Sequence, residues 1–204
     1  AKNFINIDKI FSNTSNPISA SNQPYIFEKQ QFDLPDTYIF EDEELSLEEG
    51  LAHFHTDGLI ILHEGKMLHE EYWNGNNKDS KHISFSVAKS YLSALFGIAV
   101  NEGLIDSIED NVSKYLEDFA GTGYEDVKIK NLLQMSSGIE FNEDYADPNS
   151  DINKFSRATA RDVPFRDFAK TLKNGRPQGT YNHYVSLDTQ VLAMILESVI
   201  DMPV

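Results

Sequence analysis

Cysteine is absent from all 204 residues, so disulfide bridges and thiolate chemistry are excluded, and cysteine usage gives no clue to compartment. Positive charge is scarce: 17 Lys and Arg against 33 Asp and Glu leave a formal net charge of -16. Nucleic acid and anionic membranes would be repelled at long range, so neither is expected as a partner. No apolar run is long enough to span a bilayer, and none has the shape of a signal peptide. The first residue is Ala rather than Met, which leaves room for a removed export signal and favours a periplasmic or secreted location over a cytoplasmic one. Several catalytic signatures are missing as well. His63-Glu64 and His69-Glu70 each begin a zinc-protease pattern, but Met67 and Trp73 stand where the second histidine is required. Neither a phosphate-binding loop nor a Gly-x-Ser-x-Gly elbow occurs. The pair His53-Phe54-His55 reads as a surface turn, and no metal or organic cofactor is expected.

With 40% hydrophobic residues the chain can bury a core, as one large domain or two small ones. Residues 1–45 are rich in Asn, Ser, Gln and Pro with scattered aromatics, and read as an ordered arm wrapped on a body. Ser46 with Glu49 three residues on forms a capping box that starts a helix. Gly58–His63 and Met67–Trp73 read as two strands of an antiparallel sheet, joined across Glu64-Gly65-Lys66. Residues 84–102 are apolar nearly all round, the pattern of a central buried helix, with Gly103 as its stop. Residues 46–104 thus form a sheet domain with that helix, and 105–204 a helical domain. Helices are expected over 112–119, 129–135, 165–172 and 189–200, and 138–151 is a long polar loop of the kind that carries function.

The chemistry concentrates in Ser86-Val-Ala-Lys89. Three residues apart on a helix, hydroxyl and amine share one face, so the amine can take the hydroxyl's proton. A helix start also offers free N–H groups and a positive dipole end to developing negative charge, and the Ser86 N–H can form half of an oxyanion hole. Burial of Lys89 on the helix would favour its neutral, basic form. A capping serine followed by a lysine that snorkels to solvent would produce the same letters. Near the end, Tyr181 and Tyr184 lie in a turn before an apolar helix. Either ring could relay a proton beside a lysine and a serine, or simply pack.

Ser86-Val-Ala-Lys89, the run Leu132–Ile139, and Gly179-Thr180 leading to Tyr184-Val-Ser186 and Asp188–Leu192 together resemble the serine β-lactamase-like hydrolases. The similarity is greatest to the class C-type branch with its esterases and 6-aminohexanoate-dimer hydrolases, and runs from about residue 50 onward. The resemblance implies an α+β fold of the β-lactamase/transpeptidase type, an antiparallel sheet with packed helices plus a helical domain. It makes Ser86 the nucleophile, Lys89 its base and Tyr184 the tyrosine of the second motif. Aligning back from Asp188–Leu192 without a gap selects Tyr184 over Tyr181. Ser186 departs from the usual Asn of that motif, which argues against a true β-lactamase. Tyr145 resembles a mobile-loop tyrosine that closes on substrate, so Tyr145 and Ser186 are candidate substrate contacts. The third motif and the rest of the sheet are expected in polypeptide beyond Val204, the chain being one piece of a longer protein. The function implied is acyl-enzyme hydrolysis of a small ester or amide. β-Lactamase or D,D-peptidase activity and a non-catalytic penicillin-binding-like sensor are the alternatives.

Overall fold

In the first third of the chain two tight turns pair neighbouring strands into hairpins. The computed structural model describes residues 4–6 and 21–204, so residues 1–3 and 7–20 of the expected arm lie outside the described residues. Strands β1 (Glu28–Lys29), β2 (Thr37–Phe40) and β3 (Glu43–Ser46) precede helix α1 (Leu47–His53), and β4 (Gly58–His63) and β5 (Lys66–Tyr72) follow it. Glu41 and Asp42, at φ 49 and 66, close β2 onto β3, and Glu64 and Gly65, at 48 and 76, close β4 onto β5. Two successive positive φ values match the right-handed twist of the strands they join. A register shift at Ile61/Leu62 interrupts the second hairpin. The sheet order is β1-β5-β4, and β1 runs parallel to β5, so this sheet is mixed rather than purely antiparallel. Ser46 caps α1 as expected, accepting from the Glu49 N–H at 3.3 Å.

The chain divides into two compact units, residues 1–84 and 85–204. The second is helical: a 3-10 turn (Phe85–Val87) runs into α2 (Ala88–Asn101), then come α3 (Val112–Tyr115), a second 3-10 turn (Glu117–Phe119), α4 (Ile129–Leu133), α5 (Asp151–Thr159), α6 (Phe165–Thr171) and α7 (Ser186–Ile200). Helix α5 falls where no helix was expected, capped by the Ser150 side chain on the Asn153 N–H. Among the described residues every buried hydrophobic side chain lies between Leu92 and Leu196. Helix α2 gives this core one stripe, Leu92, Phe96 and Ala99, at helical spacing. Tyr91, Leu95 and Ile98 on its other side are exposed, while Val100 packs half-buried against the core. The expectation of burial on most faces is therefore corrected, because only one face of α2 meets a packed neighbour among the described residues. Gly103 does end the helix, at φ 73.

Two features hold the second unit around its chemistry. The Met135–Gly138 segment is strapped to residues 175–183 by backbone bonds: Gly175 and Arg176 N–H to Gly138 O, Gly179 N–H to Ser136 O, and His183 N–H to Met135 O at 2.7 Å. Gly138 makes this approach possible. Its φ is 78, and a Cβ there would stand 2.2 Å from the Arg176 carbonyl oxygen. The second feature is Asp188, fully buried on the first turn of α7, whose carboxylate accepts from the Tyr124 hydroxyl at 3.0 Å. Burial pushes this carboxyl up to about 7, while the Ser137 and Tyr124 hydroxyls pull it back and the Glu143 charge adds to the rise.

Gly138→Ala should destabilise the protein by more than about 1 kcal/mol, read as a lowered urea midpoint, because both the backbone angle and the approach are lost. Asp188 makes a pH-dependent contribution. Its folded pKa, about 7, lies above the ordinary 3.8, so the folded protein holds this proton more tightly than the unfolded chain. Stability from this group therefore falls as pH rises from about 4 and is fully lost above about 7. Asp188→Asn, which keeps an acceptor for Tyr124, should flatten that part of a Tm-against-pH curve.

Candidate active site

Phe85 sits at φ 45, a left-handed conformation that costs a large aromatic residue strain. It turns the chain so that Ser86 stands in the 3-10 turn ahead of α2, exposed, with Lys89 one turn further on. Lys89 Nζ donates to Ser86 Oγ at 3.2 Å, and the Tyr184 hydroxyl donates to the same oxygen at 2.8 Å. Lys89 Nζ also lies 5.3 Å from the Tyr184 ring centroid, in cation–π range. Serine, lysine and tyrosine thus meet at one oxygen although Tyr184 lies 98 residues from Ser86. Lys89 is half-buried rather than deep in a helix core, so the strong desolvation expected from the sequence is not supplied by the described residues.

Tyr184 is carried between two anchored neighbours. His183 donates its backbone N–H to Met135 O, and its Nε2 lies 2.8 Å from Phe141 O. A carbonyl can only accept, so the proton of this imidazole bond sits on Nε2. On the other side Val185 is buried, and α7 begins at Ser186. Tyr181 points elsewhere, its ring 4.6 Å from the Arg176 guanidinium carbon. The two candidate substrate contacts, Tyr145 and Ser186, come together on one carboxylate. Glu143 Oε1 accepts from Ser186 Oγ at 2.5 Å and from the Tyr145 hydroxyl at 3.0 Å, and Oε2 accepts from the Ser186 N–H at 3.0 Å. The Tyr145 phenol is raised from its usual range, first by burial and then by its bond to the Glu143 carboxylate, although the residue as a whole is 68% exposed.

Sequence reasoning passed over Glu143 and His183. Glu143 is one acid among several in a polar loop, His183 adjoins the more prominent Tyr184, and neither has a distinctive spacing. Among the described residues no three His, Asp or Glu side chains are placed to hold a metal ion.

The model of the Beta-lactamase family matches residues 46–204. A 6-aminohexanoate-dimer hydrolase of Paenarthrobacter ureafaciens is 34% identical over 160 residues, which are 75% of this chain and 40% of that protein. The chain therefore spans well under two thirds of that relative. Among solved structures, a Bacillus anthracis protein named provisionally as a 6-aminohexanoate-dimer hydrolase superposes with a TM-score of 0.75 at 22% identity, covering 89% of this chain and 50% of that one. A class C β-lactamase of Rhodobacter sphaeroides superposes at 0.51 and 16% identity, covering 76% and 43%. These likenesses establish an α+β fold of the β-lactamase/transpeptidase type. By the family match over residues 46–204, the chain belongs to the serine β-lactamase-like hydrolases.

Proposed function

We propose that this chain carries the acylating groups of a serine hydrolase that cleaves a small carboxylic ester or amide through an acyl-enzyme. The observation that carries this reading is the convergence of Lys89 Nζ and the Tyr184 hydroxyl on Ser86 Oγ. Ser86 Oγ attacks the carbonyl carbon, and its proton passes to the Lys89 amine acting as base. The tetrahedral oxyanion is met at the N-terminal end of α2, where the Ser86 N–H and the positive end of the helix dipole favour negative charge. Tyr184 delivers a proton to the leaving group as the carbon–oxygen or carbon–nitrogen bond breaks, and the phenolate then takes up the proton that Lys89 received from Ser86. Water then attacks the acyl-enzyme by the same proton path reversed, releasing the acid and restoring Ser86. No step in this cycle calls for a cofactor.

The 6-aminohexanoate-dimer hydrolase likeness supports an amide or ester substrate of linear aliphatic character. Ser186, standing where the second motif usually carries Asn, favours that class over β-lactams. Tyr145, which shares the Glu143 carboxylate with Ser186, is assigned in this reading to contact the acyl chain.

In the whole protein, a fluorophosphonate should label Ser86 and nothing else, and Ser86→Ala should abolish both labelling and turnover of activated esters. Mass spectrometry of the labelled peptide decides it; an intact protein that is never acylated and cleaves no activated ester refutes the reading. Tyr184→Phe should still acylate on activated esters while losing about 100-fold in kcat on unactivated ones, the size expected for a lost general acid.

A further inference from the structure

The segment that carries Tyr184 ends at a helix start with no cap of its own. Val185 occupies the N-cap position of α7, and a valine side chain cannot accept a hydrogen bond from the first turn. A residue from another part of the chain fills that role. Glu143, in the loop after Gly138, accepts both the N–H and the hydroxyl of Ser186, the first residue of the helix. Its negative charge thereby sits at the positive end of a 15-residue helix. The same carboxylate accepts from Tyr145. Three donors therefore share two oxygens, an arrangement that a neutral side chain of the same shape satisfies only in part.

Tyr184 lies two residues before this anchor and one residue after His183, which is fixed to Met135 and Phe141. Its own ring is 40% exposed, so packing alone does not hold the phenol at 2.8 Å from Ser86 Oγ. We propose that Glu143 is a positioning residue for Tyr184: by clamping Ser186 it fixes the start of α7 and holds the phenol where it can protonate a leaving group. Glu143 touches neither Ser86 nor Lys89 in any hydrogen bond among the described residues, and it acts through the backbone on either side of Val185. This inference rests on the roles of Ser86, Lys89 and Tyr184 proposed above.

Leaving-group dependence separates positioning from general support. A p-nitrophenyl ester expels a stable phenolate without help, whereas an ethyl ester or alkyl amide of the same acid needs a proton delivered as the bond breaks. In the whole protein, Glu143→Ala should lower kcat/KM about 30-fold or more on the ethyl ester and the amide, and less than about 3-fold on the p-nitrophenyl ester. Glu143→Gln keeps the shape and one acceptor for the Ser186 N–H, so it should recover part of the loss, and it carries the same comparison if the alanine variant does not fold. Ser186→Ala should produce the same selective defect to a smaller degree, and the double variant with Glu143→Ala should be no worse than the single glutamate variant. Equal losses on all three substrates, or none on any, in a folded variant would overturn the positioning role while leaving the Ser86 reading intact. A wild-type protein that is inert to all three and to a fluorophosphonate overturns both.

Discussion

The packing of the Ala88–Asn101 helix against the Ser186–Ile200 helix is the constraint on which the candidate site depends. The start of each helix brings side chains to the junction: Ser86 and Lys89 at the head of the first, Tyr184 just ahead of the second. Leu92, Phe96 and Ala99 meet a core that includes Leu187, Val191 and Ile195, and these contacts bring two segments far apart in sequence within hydrogen-bonding reach. A shift of an ångström between the helices would carry the phenol out of range of the serine oxygen, and reactions that rely on proton delivery lose rate steeply with such displacements.

What could be read from the letters follows from how local each feature is. Ser86 and Lys89 are neighbours through the helical repeat alone, and Ser46 with Glu49 is likewise a short-range pattern, so both were legible. The hairpin of Gly58–His63 with Lys66–Tyr72 was legible because Glu64-Gly65 supplies its turn chemistry. The hairpin of Thr37–Phe40 with Glu43–Ser46 was not, because its turn residues, Glu41 and Asp42, seldom adopt positive φ and the acid run looked like the approach to a helix. The same limit hid the exposed side of the helix that follows Ser86: Tyr91, Leu95 and Ile98 are as apolar as the buried stripe, and composition cannot say which face has a neighbour.

Tyr184 became legible only through the resemblance of the segment around it, since nothing in its spacing from Ser86 marks a contact across 98 residues. Glu143 stayed hidden for a related reason. Its importance comes from three donors that converge on it from Tyr145 and Ser186, and convergence is a property of the fold. Asp188 adds a second carboxyl to the same neighbourhood, but its burial makes it a carrier of a proton near neutrality, whereas Glu143 serves as an acceptor at the helix start. One acid lies buried in the first turn of that helix and the other bonds its first residue from the loop, so the same helix start is served from inside and from outside the core.

The left-handed Phe85 has a consequence for how this region tolerates change. A residue in that conformation stores on the order of 1–3 kcal/mol relative to a relaxed backbone, and the surrounding fold must hold the chain there. Glycine at this position would relieve the stored energy and raise thermal stability, yet it would also free the serine to wander among several backbone states. Stability and a fixed Ser86 therefore pull in opposite directions at a single residue, and variants selected for heat resistance alone would drift toward a looser serine.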